Sequence, residues 1–186
     1  MAYLFRGNTS IIEPNLEKFD FGSTVNVHSM FSGCTNLKTL GELNFSLVWG
    51  INGGGSDDER GHNGYYYVFG NCTNLVSIEK IILANYYNSN FVGTFNGCKS
   101  LESITFEGEI KFSISFGDCK VLNRNSIENI VACLSDQWQT IAGNTDYPCL
   151  TLSKEAVDSA FPDYENNSEW NDLIKPKLGH WTISCL

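Results

Sequence analysis

Hydrophobic and polar positions along this 186-residue chain follow one frame that recurs. The frame is Phe, two small or polar residues, Cys, two more, Leu, two more, then an aliphatic residue. MFSGCTNLKTL at 30–40, VFGNCTNLVSI at 68–78 and TFNGCKSLESI at 94–104 hold it closely. LFRGNTSIIEP at 4–14 leads them and SFGDCKVLNRN at 115–125 trails. The anchoring residues Phe5, Phe31, Phe69, Phe95 and Phe116 stand 26, 38, 26 and 21 residues apart. Self-similarity at a period in the twenties means units that cannot bury an apolar face alone and therefore stack. Stacking predicts an interior ladder of Phe31, Cys34, Leu37, Phe69, Cys72 and Leu75. It continues through Phe95, Cys98, Leu101, Phe116, Cys119 and Leu122. Asn8 takes the Cys place in the first copy, an interior position where an amide can bond free backbone groups and Cys serves as a small hydrophobe.

Strands are predicted between the phrases. Phe19 and Phe21 alternate with Asp20 in 15–29, which suits one buried face. Leu43, Phe45 and Leu47, then Ile78 to Ala84, then Ile104 to Phe106 are its counterparts. Ile110, Phe112 and Ile114 form a further alternating run after Glu107-Gly108-Glu109. After residue 125 the periodicity becomes helical. Asn125 with Glu128 reads as a helix start, followed by Ile127, Ile130, Val131 and Leu134. Leu150–Leu152 reads as a strand, and Ser153 opens a helix with Val157, Ala160 and Phe161 on one face, stopped at Pro162. Another helix starts near Ser168 with Trp170, Leu173 and Ile174 on one side. Pro176 and Gly179 close it, and HWTIS at 180–184 is a last strand.

The phrase F-x-G-C-x-x-L-x-x-I resembles the BspA-like leucine-rich repeats of bacterial surface proteins and related phage-borne proteins, over roughly residues 1–125. The order LTLS, two short helices and WTIS resembles the C-terminal cap of such proteins. The fold class this implies is α/β leaning to β. It is a leucine-rich-repeat solenoid over 1–125, each coil adding a short strand to one elongated sheet, closed by an α+β cap over 126–186. The resemblance also implies modules that bind proteins or glycans, without catalysis or cofactor. The 38-residue spacing and the weak outer copies depart from the family pattern.

The excess in that spacing is WGINGGGSDDERGHNGYYY, 49–67, whose three glycines and charged tip suit a loop inserted at 50–64. Insertions in repeats gather on one face, often the binding face. Candidate ligand contacts are therefore Trp49, Tyr65, Tyr66, Tyr67, Tyr86 and Tyr87, with Asp57 and Asp58 at the tip. The competing reading puts alternate tyrosines in the core, because half the side chains of any strand point inward.

Charge removes some partners. A net charge of −9, with twelve scattered Lys and Arg, does not supply the basic cluster that phosphate binding needs. Nucleic acid and an anionic bilayer are thus not expected partners, and no run of 18 apolar residues predicts membrane insertion. The repeat begins almost at Met1 without a dedicated cap, so an expectation is docking at that end or a longer parent chain. Seven Cys contain no C-x-x-C. Four belong to the ladder, and Cys133, Cys149 and Cys185 lie at no metal-ligand spacing, which predicts reduced structural thiols and no bound metal. His28, His62 and His180 are dispersed, and Asp57, Asp58, Glu59 and His62 lack calcium-loop spacing. Gly53–Gly55 lack a following G-K-[ST], and no G-x-S-x-G occurs. Glu107 and Glu109 are the carboxylate pair a glycan hydrolase would use.

The expected function is a non-catalytic binding module recognising a protein or glycan at a bacterial cell or virion surface, as in an adhesin or phage tail. The alternatives are an assembly element contacting other virion subunits or itself, and a glycan hydrolase.

Overall fold

The computed structural model describes residues 1–16, 19, 26–48, 64–84, 91, 93–137 and 148–186. Its strands are β1 (Thr39–Asn44), β2 (Ser77–Ile82), β3 (Ser103–Glu107), β4 (Ile114–Phe116), β5 (Cys149–Leu152) and β6 (Thr182–Cys185). The helices are α1 (Arg124–Ala132), α2 (Lys154–Ala160) and α3 (Ser168–Ile174). They form two separate three-stranded parallel sheets, ordered β1-β2-β3 and β4-β5-β6.

That arrangement overturns the expected fold class. A leucine-rich-repeat solenoid would run one elongated sheet through every copy, whereas here the first sheet stops at β3, and a second, smaller one carries the C-terminal strands. One cause ends the first sheet and another starts the second. Three phrases lead into its strands, and after the fifth, at 115–125, the chain makes a helix where a strand would follow. Asn123 caps α1, its Oδ1 accepting the Ser126 N–H at 3.0 Å. The helix then covers the edge of β3 with side chains. Ser126 Oγ accepts the Ile104 N–H at 2.9 Å, and Asn129 Oδ1 accepts the Phe106 N–H at 2.7 Å while its Nδ2 donates to the Phe106 carbonyl at 3.2 Å. An edge satisfied in this way has nothing left for a fourth strand.

The second cause lies in the phrases themselves. Two positions, two residues before and two after the anchoring Phe, adopt left-handed backbone in the earlier copies: Tyr3, Ser29, Tyr67 and Gly93 before, and Gly7, Gly33, Asn71 and Gly97 after. In the last copy these places hold Ile114 and Asp118, neither left-handed. A β-branched residue resists that region. The backbone there stays extended as β4 and pairs with β5, Phe116 opposite Leu152. One sheet therefore joins a strand before residue 125 to two after it.

The phrases stack through main-chain bonds. The N–H of Tyr3, Phe5 and Gly7 donate to the carbonyls of His28, Met30 and Ser32, and those of Ser29, Phe31 and Gly33 to Tyr66, Val68 and Gly70. A second line runs from Asn123 N–H to Glu102, Glu102 to Val76, Val76 to Lys38 and Lys38 to Ile12. Between these lines the rings of Phe5, Phe31, Phe69, Phe95 and Phe116 stack at 5.2, 5.8, 5.5 and 4.6 Å, each pair within 20° of parallel. Stacked pairs contribute about 0.5–1.5 kcal/mol each beyond their burial. Cys34, Cys72 and Cys98 donate their thiols to the carbonyls of Phe5, Phe31 and Phe69 at 2.9, 3.1 and 3.1 Å; Cys119 reaches that of Phe95 at 4.0 Å. Leu37, Leu75, Leu101 and Leu122 are buried beside them.

Other expectations shift. Asn8 is exposed, its side-chain oxygen accepting the Ser10 N–H at 2.9 Å. The predicted first strand does not form at Phe19, which closes a turn on Leu16 and stays 39% exposed; Asp20 and Phe21 lie outside the described residues. Leu47 is exposed, since β1 ends at Asn44 and Phe45 and Val48 take the inner places. The α1 cap is Asn123 rather than Asn125.

Candidate functional site

The first copy leaves the sheet at Pro14. Following the line of bonds from Ile12, residues 13–16 lie where a strand beside β1 would run, yet they are irregular. Proline has no N–H to give a ladder and is tolerated only at edges. Glu13–Leu16 therefore stands off from β1, and a groove of about 620 Å³ opens between them. One wall is Glu13, Asn15 and the buried Leu16, with the ring of Phe19 at its end, held edge-on against Phe5 at 5.7 Å. The other is the face of Thr39, Gly41, Glu42 and Asn44, with Glu79 contributed by β2.

Two features give this groove chemical character. Among the described residues, no main-chain hydrogen bond leaves Thr39–Asn44 on the flank away from β2; the bond from Lys38 N–H to Ile12 at 2.8 Å is the last on that side. Its charge is also of one sign. Glu42 shares Lys80 with Glu107, at 3.0 and 3.1 Å, but Glu13 and Glu79 have no ion-pair partner among the described residues. Gly41 keeps the floor low: a Cβ there would meet nothing nearer than Glu79 Oε2 at 3.8 Å.

The sequence-predicted contacts fall elsewhere. Tyr65 is in the core, 2% exposed, its ring stacked on Phe91 at 4.6 Å. Its hydroxyl donates to the Phe45 carbonyl at 3.4 Å and accepts the Ala84 N–H at 3.2 Å, and burial pushes its phenol pKa up. No surface ligand reaches it. Tyr66 and Tyr67 are partly exposed, with ring centroids 4.7 Å apart. Tyr66 meets His28 at 5.1 Å, and His28 meets the exposed Tyr3 at 4.7 Å, so these rings form a row along the turn flank. Trp49, Asp57, Asp58, Tyr86 and Tyr87 lie outside the described residues, as does the 50–64 insertion up to Gly64. The groove was missed because it depends on what Pro14 fails to pair with; the proline itself was the available signal.

Glu107 and Glu109 are each held by a different lysine. Gly108 turns the chain between them at φ +103°, sending Glu107 to Lys80 and Glu109 to Lys111 at 3.2 Å and Ser135 at 3.2 Å. Among the described residues no group of three His, Cys, Asp or Glu is placed to hold a metal ion. Cys34, Cys72, Cys98 and Cys119 are buried free thiols with pKa values raised chiefly by desolvation. A thiol in that state is a packing group rather than a nucleophile.

Comparison of the chain with protein-family models, with curated proteins and with solved structures finds no match. Among the described residues no helix is long and apolar enough to cross a membrane.

Proposed function

We infer that this chain is a non-catalytic binding module that recognises a protein or glycan at the surface of a bacterial cell or a virion. The observation carrying this reading is the groove beside β1, where a rigid sheet edge, an exposed ring and convergent carboxylate and amide side chains meet in one concavity. Recognition sites are concave surfaces with a few placed polar groups on a firm scaffold. The row of Tyr3, Tyr66 and Tyr67 adds a second contact surface with apolar bodies and polar tips. Resemblance of the phrases to BspA-like repeats of surface proteins supports the same reading. Its test is a paired glycan and peptide array probed with the purified chain and with a Gly41→Tyr variant that fills the groove. Hits lost in the variant are expected. Silence on both arrays, or hits indifferent to the variant and to Tyr66→Ala, overturn the assignment.

A second reading, an assembly element, is favoured by the first copy. Tyr3, Leu4 and Ile12 are about half exposed there, and the Leu4 and Arg6 carbonyls accept no hydrogen bond among the described residues. Light scattering separates the two: a stable oligomer dispersed by Leu4→Glu supports assembly, and a monomer removes it.

A further inference from the structure

We propose that the open edge of β1 receives an extended, lysine- or arginine-bearing segment of a partner protein as an added strand of the first sheet. This rests on the binding-module reading and narrows it from protein or glycan to a peptide strand. Three observations converge on that occupant.

The first is main-chain valence. Thr39–Asn44 is a regular strand whose far flank bonds nothing among the described residues, and β-addition uses such an edge for affinity. The second is space. Segment 13–16 and β1 line a groove of about 620 Å³, which leaves volume beside the strand edge. Strands in a ladder lie about 4.8 Å apart, so an extended peptide needs far less width than a helix about 10 Å across. Gly41 adds to this space, because its missing side chain bares the backbone at mid-strand.

The third is charge. Glu13 and Glu79 line the groove with no ion-pair partner among the described residues, and Glu42, bonded to Lys80, lines it with them. Successive side chains of an inserted strand point to alternate faces. Cationic residues at alternate positions would therefore reach one set of carboxylates together. A segment with acidic side chains would meet like charges instead, so sign sets selectivity.

The probe is an acetylated, amidated heptapeptide of alternating lysine and valine, titrated into the full chain by calorimetry at low salt. Amide exchange is followed on the same samples. Saturable binding is expected, with slowed exchange confined to amides of 39–44 and the groove wall. Methylating alternate peptide nitrogens removes strand pairing while keeping the charge. It should weaken binding by roughly tenfold or more, as should Glu13→Lys with Glu79→Lys. Both glutamates are exposed, so the double variant keeps its fold, and Gly41→Tyr is the independent steric control. No saturable binding up to about 1 mM overturns the proposal. Equal affinity for the methylated peptide, or protection away from β1, does so too. Glycan-array hits abolished by Gly41→Tyr, with the peptide silent, would overturn the added strand while leaving the binding-module reading intact.

Discussion

The ring of Tyr67 lies flat over Gly93: a Cβ on that glycine would stand 2.3 Å from Tyr67 Cε2 and 2.5 Å from Cδ2 and Cζ. Both residues are left-handed, with φ of 52° and 67°. The tyrosine thus accepts an unfavourable backbone to lay its ring across the next copy, and only a glycine leaves room beneath. Gly93→Ala should destabilise the fold by about 2–4 kcal/mol, combining overpacking with the cost of a left-handed alanine. In a Tyr67→Ala background the same change should cost only about 1–2 kcal/mol, because the clash is gone. Urea unfolding of the four proteins of that cycle checks it. Equal costs in both backgrounds would mean the ring does not rest there.

Asn129 makes a different kind of junction. One amide both accepts from and donates to Phe106, doing for β3 what a fourth strand would do. Asn129→Ala should cost about 1–3 kcal/mol, the penalty for leaving main-chain groups of a covered edge unpaired. Exchange of the Phe106 amide should quicken beyond what the loss of global stability explains. Asn129→Asp retains the acceptor and loses the donor, so it should keep Phe106 N–H protected while remaining less stable than the parent. If Phe106 exchanges no faster in the alanine variant, the helix covers that edge by packing alone.

How far the fold was legible follows from the range of the forces involved. The spacing of Phe, Cys and Leu marks the side chains of the central column because each phrase forms one tight turn, and turns are decided locally. Helices α2 and α3 were legible for the same reason, through Ser153, Pro162 and Ser168. The end of the first sheet was not, since it depends on Ser126 and Asn129 meeting β3 from more than twenty residues away. The facing of the tyrosines was hidden too. Strict alternation would place Tyr65 and Tyr67 together, but the left-handed turn at Tyr67 breaks the alternation, burying the first and bringing the second out over Gly93. The groove followed from Pro14, whose effect needed β1 beside it to be seen.

The seven cysteines should divide by burial. Cys34, Cys72, Cys98 and Cys119 have no solvent access, and desolvation raises their pKa values, so the thiolate that reacts with disulfide reagents is scarce. In the native protein near pH 8 these four should stay unlabelled for as long as the chain is folded, while Cys133, Cys149 and Cys185, only partly buried, label first. Adding denaturant should release the remaining four together. Mass spectrometry of the labelled peptides tells the groups apart, and early labelling at Cys72 or Cys98 would contradict the closed column.

Acid should act through Glu155. Lys120 Nζ lies 2.8 Å from its Oε1, and Ser153 Oγ donates to its Oε2 at 2.8 Å. The lysine bond, then the serine bond, hold this carboxyl at a pKa of about 2. In the unfolded chain a glutamate titrates at about 4.3. Because the folded value is the lower one, the unfolded state takes up the proton first, and the stabilisation is present above the unfolded value. It is lost as pH falls from about 4.3 through about 2. Both side chains of the pair are exposed, so the effect is modest and screened by salt. The stability gap between the parent and Glu155→Gln should be largest near pH 6 and close as pH approaches about 2. Lys120→Met should shrink the same gap at pH 6. Urea midpoints of the three proteins across that range provide the measurement. A gap that persists unchanged at pH 2 would show that Glu155 contributes through packing rather than through its charge.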